Sequence, residues 1–80
     1  MDPILSQISL YPLDFEIEGW FRCDGRRLPI NEYQALYSLI REKFGGDGRT
    51  SFSLPDLRGK SPIPGLEYYI AYNGVYPSRS

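Results

Sequence analysis

One segment of the 80-residue chain, bounded by Pro29 and by Gly45-Gly46, limits the possible folds more than any other. Within it, apolar side chains recur at i, i+3, i+4, i+7 and i+11, which is the spacing of one face of a helix. The stripe consists of Tyr33, Leu36, Tyr37, Ile40 and Phe44. Glycine readily adopts the left-handed conformation that ends helices. We therefore predict one helix, from about Glu32 to about Lys43.

The start of this helix has a recognisable capping pattern. Asn31 is placed to accept a hydrogen bond from the first-turn amides, and Gln34 follows three residues later. Ile30 is placed to pack against Ala35 as a hydrophobic staple. These residues predict that the helix is capped by the Asn31 side chain.

Short alternating segments on both sides of the helix predict strands. Residues 8–12 form one strand that Pro12 stops, and residues 67–72 form the strongest strand pattern in the chain. Asp24-Gly25 is the best hairpin turn, so we predict a hairpin from Trp20 to Leu28. Phe52 and Leu54 alternate inward before a proline breaks the pattern.

Alternation along the strands assigns side chains to opposite faces. Trp20 and Arg22 point one way, whereas Phe21 and Cys23 point the other. In the last strand, the side chains of residues 68 and 72 share a face that residue 69 opposes. Cys23 reads as a small core residue, and a single cysteine excludes an internal disulfide.

Composition excludes several classes of function. A net charge of −1 argues against DNA or RNA as a partner, because nonspecific nucleic-acid binding needs an excess of cations. The absence of histidine excludes a Ser-His triad and the usual zinc sites. No segment resembles a signal peptide or approaches membrane-spanning length. We expect no enzyme activity, no cofactor, no metal and no membrane partner.

The glycine-rich segment GGDGRT, residues 45–50, allows two interpretations. Its amides could hold a phosphate, but the segment follows a helix, whereas a phosphate-binding P-loop precedes one. We favour a tight turn in which Asp47 accepts bonds from the turn amides. By similar reasoning, Asp56 and Arg58 are expected to brace a loop. Glu16 and Glu18 are expected to be surface acids rather than a catalytic pair.

Seven of the nine cations are arginine, and the first 21 residues contain four acids and no cation. Arginine forks and aromatic faces together suit an anionic nucleotide. The candidate ligand-binding residues are Trp20, Arg22, Arg26, Arg27, Arg49, Arg58, Tyr69 and Tyr72. The alternatives are that the arginines brace loops or are solvated, and that the aromatic rings belong to the core and to subunit contacts.

The ordered motifs CDGRRLPI, ALYSLI, GGDGRT and LPDLRG resemble those of the phage tail collar domain. The ending YIAYNGVYPSR is similar to the C-terminal strand of the same family. The resemblance implies a single α+β domain over residues 1–80, in which short β-strands and a hairpin pack on one α-helix and a C-terminal strand completes the fold.

One departure from the family pattern is informative. Members usually carry a long, variable, receptor-facing stretch between LPDLRG and the last strand, whereas here only KSPIPGLE joins the two. The resemblance implies a homo-oligomer, with a trimer favoured. Without the variable stretch, we expect a phage-derived oligomer in the host cytoplasm that sequesters a nucleotide-type ligand. The alternative is a structural collar or fibre component, or an adaptor, that contacts other proteins in the virion tail.

Overall fold

In the computed structural model, which describes residues 2–78, the chain folds into six short secondary-structure elements. Arg79, at the end of the C-terminal motif, lies outside these residues. One short helix and several antiparallel strands confirm the predicted α+β class. In chain order, the elements are β1 (Ile8–Tyr11), β2 (Trp20–Arg22), β3 (Arg27–Pro29), α1 (Gln34–Ile40), β4 (Ser51–Ser53) and β5 (Glu67–Ala71).

The strands form two separate antiparallel arrangements. The larger is a three-stranded sheet of order β1-β5-β2, in which Ile70 of β5 lies between Ile8 and Phe21. The smaller is a ribbon of β3 and β4, in which Leu28 faces Phe52. The strands predicted at residues 8–12 and 67–72 are confirmed, and the latter is the central strand of the sheet.

The predicted hairpin from Trp20 to Leu28 is wrong. The chain does turn at Gly25, which has a φ of 79°. However, β2 then pairs with β5 and β3 pairs with β4. The residues around the turn bond to the 54–57 segment instead: Gly25 N donates to the Pro55 carbonyl, and Leu57 N donates to the Cys23 carbonyl. These long-range bonds replace the local pairing that the turn residues alone would allow.

The helix is shorter than predicted and begins without a side-chain cap. The amides of Glu32 and Tyr33 donate to the carbonyls of Pro29 and Ile30, so two tight turns occupy the position expected for the Asn31 cap. At the other end, Arg41 leaves the helical conformation with a φ of 52°. Phe44, assigned to the helical stripe, therefore lies beyond the helix and is exposed.

The two faces of the sheet bury different clusters. One face packs against the helix and the ribbon in the main core: Leu5, Cys23, Leu28, Leu36, Phe52, Leu54 and Ile70. The other face holds a small cluster, Trp20, Tyr69 and Ala71, which Tyr11, Leu13 and Ile17 cover. Tyr68 and Tyr72 pack on the main core, so the predicted division of strand side chains between two faces is confirmed.

No helix within residues 2–78 is long and apolar enough to cross a bilayer.

Candidate functional site

The glycine-rich turn is closed by one aspartate. Asp47 Oδ1 accepts hydrogen bonds from the amides of Arg49, Thr50 and Ser51 at 2.8, 2.9 and 3.0 Å. Its Oδ2 accepts a bond from the Thr50 hydroxyl at 2.9 Å. These donors hold the pKa of Asp47 well below its usual range, because each one stabilises the ionised carboxylate. The carboxylate thus occupies the amides that a phosphate would need, and the predicted turn is confirmed.

A cleft of about 760 Å³ lies beside the start of β5, under the loop of residues 57–66. The apolar part of its wall consists of Leu57, Ile63 and Leu66. The loop forms no regular strand pairing, because it contains Pro62 and Pro64. Two of the predicted anion-binding residues, Arg22 and Arg58, line the same cleft. The cleft is therefore the place where the structure brings predicted site residues together.

Both cleft arginines already have acidic partners within the chain. Arg22 Nε lies 3.2 Å from Glu67 Oε2 and donates to the Tyr69 hydroxyl at 3.3 Å. Arg58 donates through two nitrogens to Asp56, at 2.9 and 2.8 Å, as predicted for a loop brace. This pairing lowers the pKa of Asp56 to about 2. An added anion would have to share each guanidinium with a carboxylate.

Arg26 is held in a different place and by more contacts. It binds Asp24 through two nitrogens and also forms an ion pair with Glu16. Its guanidinium lies 4.7 Å from the centre of the Phe21 ring, in a cation–π contact. The hydrogen bonds from Arg26 lower the pKa of Asp24. Glu16 therefore pairs with an arginine rather than with Glu18.

The remaining two candidate arginines are exposed. Arg27 lies on β3 and Arg49 lies in the glycine-rich turn, and neither forms an ion pair with another residue of the 2–78 range. Neither lines the cleft. The five candidate arginines thus belong to at least three separate surroundings.

The three candidate stacking rings are engaged inside the fold. Tyr69 is 0% exposed, and its hydroxyl donates toward the carbonyls of Leu13 and Phe15. Trp20 packs edge-on against Tyr11 at 5.3 Å between ring centres and is 9% exposed.

Tyr72 stacks on Phe21 at 4.2 Å between ring centres. Its hydroxyl accepts a bond from the Gly19 amide. The faces that a base would stack on are largely covered by the chain itself.

Sequence reasoning missed Glu67 as the partner of Arg22 and missed the 57–66 loop as a cleft wall. Glu67 and Arg22 lie on adjacent strands, and their proximity depends on a register in which Arg22 faces Tyr69. The surplus of acids in the first 21 residues was a usable signal for the pairing of Glu16 with Arg26.

Within the described part of the chain, no three side chains of the metal-binding types, His, Cys, Asp or Glu, gather where they could hold an ion.

Comparison with known protein families identifies a match over most of the chain. The family model of the phage tail collar domain matches residues 6–62. This range contains β1 to β4, the helix, the glycine-rich turn and the Asp56–Arg58 brace. No curated protein and no solved structure matches the chain at a significant level.

Proposed function

The chain belongs to the phage tail collar domain family, and from this premise we propose that it is a non-enzymatic structural component of the tail of a phage or phage-like particle. The observation that carries the proposal is the extent of the match, because residues 6–62 include most of the folded elements rather than one motif. Fold alone does not assign function, so the local chemistry must also be compatible with this role.

The charged side chains support a structural role. Three arginines, Arg22, Arg26 and Arg58, are engaged with acids of the same chain. Asp47 uses its carboxylate to fix the glycine-rich turn. Groups engaged in this way position loops and are poorly suited to recognise a substrate or transfer protons.

The assembly partners follow from the same proposal. A tail component would contact other tail proteins and further copies of itself through exposed apolar side chains, of which Phe15, Val75 and Tyr76 are examples. The trimer that the family resemblance implies stays a prediction. The assignment of residues 1–80 to a single tail-collar-like domain also stays a prediction.

The proposal is tested by asking whether the chain is part of the particle. Particles are purified from cells that carry the encoding phage, and peptides of the chain, such as residues 28–41, are quantified against a known tail protein. We expect a fixed ratio of several copies per particle that withstands density-gradient purification. An abundant host cytoplasmic protein, which should be depleted, is the control. Depletion of the chain in parallel with that control would contradict a structural role.

Sequestration of a nucleotide-type ligand is a second proposal, and one observation favours it. Arg22 and Arg58 line the same cleft, whose volume of about 760 Å³ is in the range of small-molecule sites. Their pairing with Glu67 and Asp56 weakens this proposal relative to the first. The second proposal requires that the chain be found in the cytoplasm, outside particles, and that an anionic nucleotide stabilise it.

A further inference from the structure

The free edges of the two outer strands of the sheet differ. In an antiparallel ladder, alternate residues direct their N–H and C=O groups toward the neighbouring strand. The Gln7 carbonyl accepts from the Ala71 amide at 2.9 Å. By alternation, Ser9 and Tyr11 also face β5, and Ile8 and Leu10 direct their backbone groups outward. No group within residues 2–78 bonds to these outward groups, which we name the open edge.

The outer edge of β2 is closed by the chain itself. The Trp20 amide donates to the Ile17 carbonyl at 3.0 Å, and the Arg22 amide donates to the Glu16 carboxylate at 2.8 Å. The Asp24 amide donates to the Arg22 carbonyl at 2.9 Å. Since Arg26 in turn holds Glu16, this cover is fixed in place. An incoming strand would find no free amide on β2.

The side chains of the open edge lack the usual protection against pairing. Edge strands are commonly blunted by charges, lysine above all. Residues 3–13 contain no charged residue, and Ile8 is 42% exposed. Neither Ile8 nor Leu10 belongs to the main core or to the small cluster. The edge therefore combines unpaired backbone with two apolar side chains, of which Ile8 is exposed and Leu10 is only partly buried in the monomer.

We propose that β1 pairs with β1 of a second copy of this chain, antiparallel across a twofold axis, so that two sheets join into one of six strands. With Ser9 on the axis, Ile8 of each copy faces Leu10 of the other, and the two pairs make four N–H···O bonds. The apolar pairs lie on one face, and the two Ser9 side chains meet on the other.

The ends of β1 favour this register over its neighbours. A register centred on Leu10 would need an amide from Pro12, which has none. A register centred on Ile8 would need the Ser6 amide, which already donates to the Ala71 carbonyl. Ser6 also has a φ of 74°, so the strand is distorted there. In the register centred on Ser9, every amide and carbonyl that would pair is free.

The occupant is a second copy because the edge is complementary to itself. Self-pairing brings no like charges together, and each apolar side chain meets another. A closed ring of edge-to-edge sheets would need a second open edge, which β2 does not provide, so the pairing must be isologous. It predicts an even number of subunits, unlike the trimer that the family resemblance implies. The inference does not depend on the tail role, since it rests on the strand edges alone.

The subunit number and the amide protons test the proposal together. Native mass spectrometry and light scattering of the purified chain should give a dimer, or another even number, that dissociates on dilution. In hydrogen exchange followed by NMR, the amides of Ser9 and Tyr11 should be protected at every concentration. The amides of Ile8 and Leu10 should become protected only as the oligomer forms. This alternation distinguishes edge pairing from association through any other surface.

Two variants should interrupt the pairing without removing any hydrogen bond that the monomer makes. Leu10→Pro removes an amide that β5 does not use, and Ile8→Lys places a charge at an exposed position. Each should weaken dimerisation by about tenfold or more, because Leu10→Pro removes one N–H···O bond from each of the two symmetry-related pairs and Ile8→Lys places a charge in each. Ile63→Lys, at an exposed loop position, is the matched control and should leave the subunit number unchanged.

Circular dichroism and the melting temperature of each variant establish whether it folds. If Leu10→Pro does not fold, Ile8→Lys alone tests the proposal. A chain that stays monomeric up to millimolar concentration would overturn the proposal. So would an odd number of subunits, or a dimer that Ile8→Lys leaves intact. Protection of Ile8 and Leu10 that appears only when another tail protein is added would also overturn it, because the occupant would then be that protein.

Discussion

Substitution of Gly46 by alanine tests whether the glycine-rich segment is a packed turn. Gly46 has a φ of +95°, and a Cβ added there would lie 2.4 Å from the Phe52 Cα and 2.7 Å from the Ser51 carbonyl oxygen. Gly59 is a matched control, since its φ is +74° and a Cβ there would meet nothing within 4 Å. The two variants separate the cost of the backbone conformation from the cost of the close approach.

The expected magnitudes follow from these two costs. A left-handed alanine costs about 1–2 kcal/mol, which is the whole effect expected for Gly59→Ala. For Gly46→Ala, overpacking against backbone atoms adds about 1–3 kcal/mol, because no side chain can rotate away. The sum of about 2–5 kcal/mol is a large share of the roughly 4–12 kcal/mol expected for a domain of this size.

Urea denaturation followed by the fluorescence of Trp20 measures the difference. Trp20 is the single tryptophan of the chain and is buried, so its emission reports global unfolding. We expect the urea midpoint of Gly46→Ala to lie well below that of Gly59→Ala, with the same dependence of the unfolding free energy on urea concentration. Equal midpoints would refute the packed-turn interpretation, since nothing but backbone conformation would then distinguish the two sites.

Three further predictions concern titration, reactivity and ligand binding. The pKa of Asp56 is lowered to about 2 from an unfolded value of about 3.9, so its contribution to stability is present above about pH 4. That contribution is lost as the pH falls toward 2. In thermal melts at acid pH, the melting temperature of Asp56→Asn should therefore fall less with decreasing pH than that of the parent. Cys23 is 2% exposed, and burial raises the pKa of its thiol to about 11, so its labelling by a thiol reagent at pH 8 should be no faster than the unfolding that exposes it. If the cleft binds anionic nucleotides, Arg22→Ala and Arg58→Ala should abolish a nucleotide-induced melting shift that Arg27→Ala retains; a shift unchanged in all three would eliminate the cleft as the site.

Local signals in the sequence predicted local structure well. Asp47 was assigned to the turn amides because aspartate commonly bonds its own turn, and it does so through three amides. Asp56 and Arg58 lie two residues apart, and their pairing depends on little else. The alternation of Phe21 and Cys23 against Trp20 also holds, because strand geometry fixes it whatever the partner strand is.

The misses share one physical cause, which is that other groups of the chain compete with the expected hydrogen-bond partners. Asp24-Gly25 has the chemistry of a hairpin turn, but β5 offers β2 a longer partner than β3 does. The Asn31 cap was displaced by bonds to the Pro29 and Ile30 carbonyls. The candidate arginines are also separated by long-range structure, since Glu67, the acid that pairs with Arg22, lies far along the chain and is placed there by strand register.

The location of the chain in intact particles tests the structural role most directly. Immunogold electron microscopy of purified particles, with an antibody raised against the folded chain, shows where it lies. We predict label on the tail at a constant position, which particles lacking the gene do not bind. Tails without label, together with the chain recovered only from the soluble fraction of the lysate, would contradict the structural assignment.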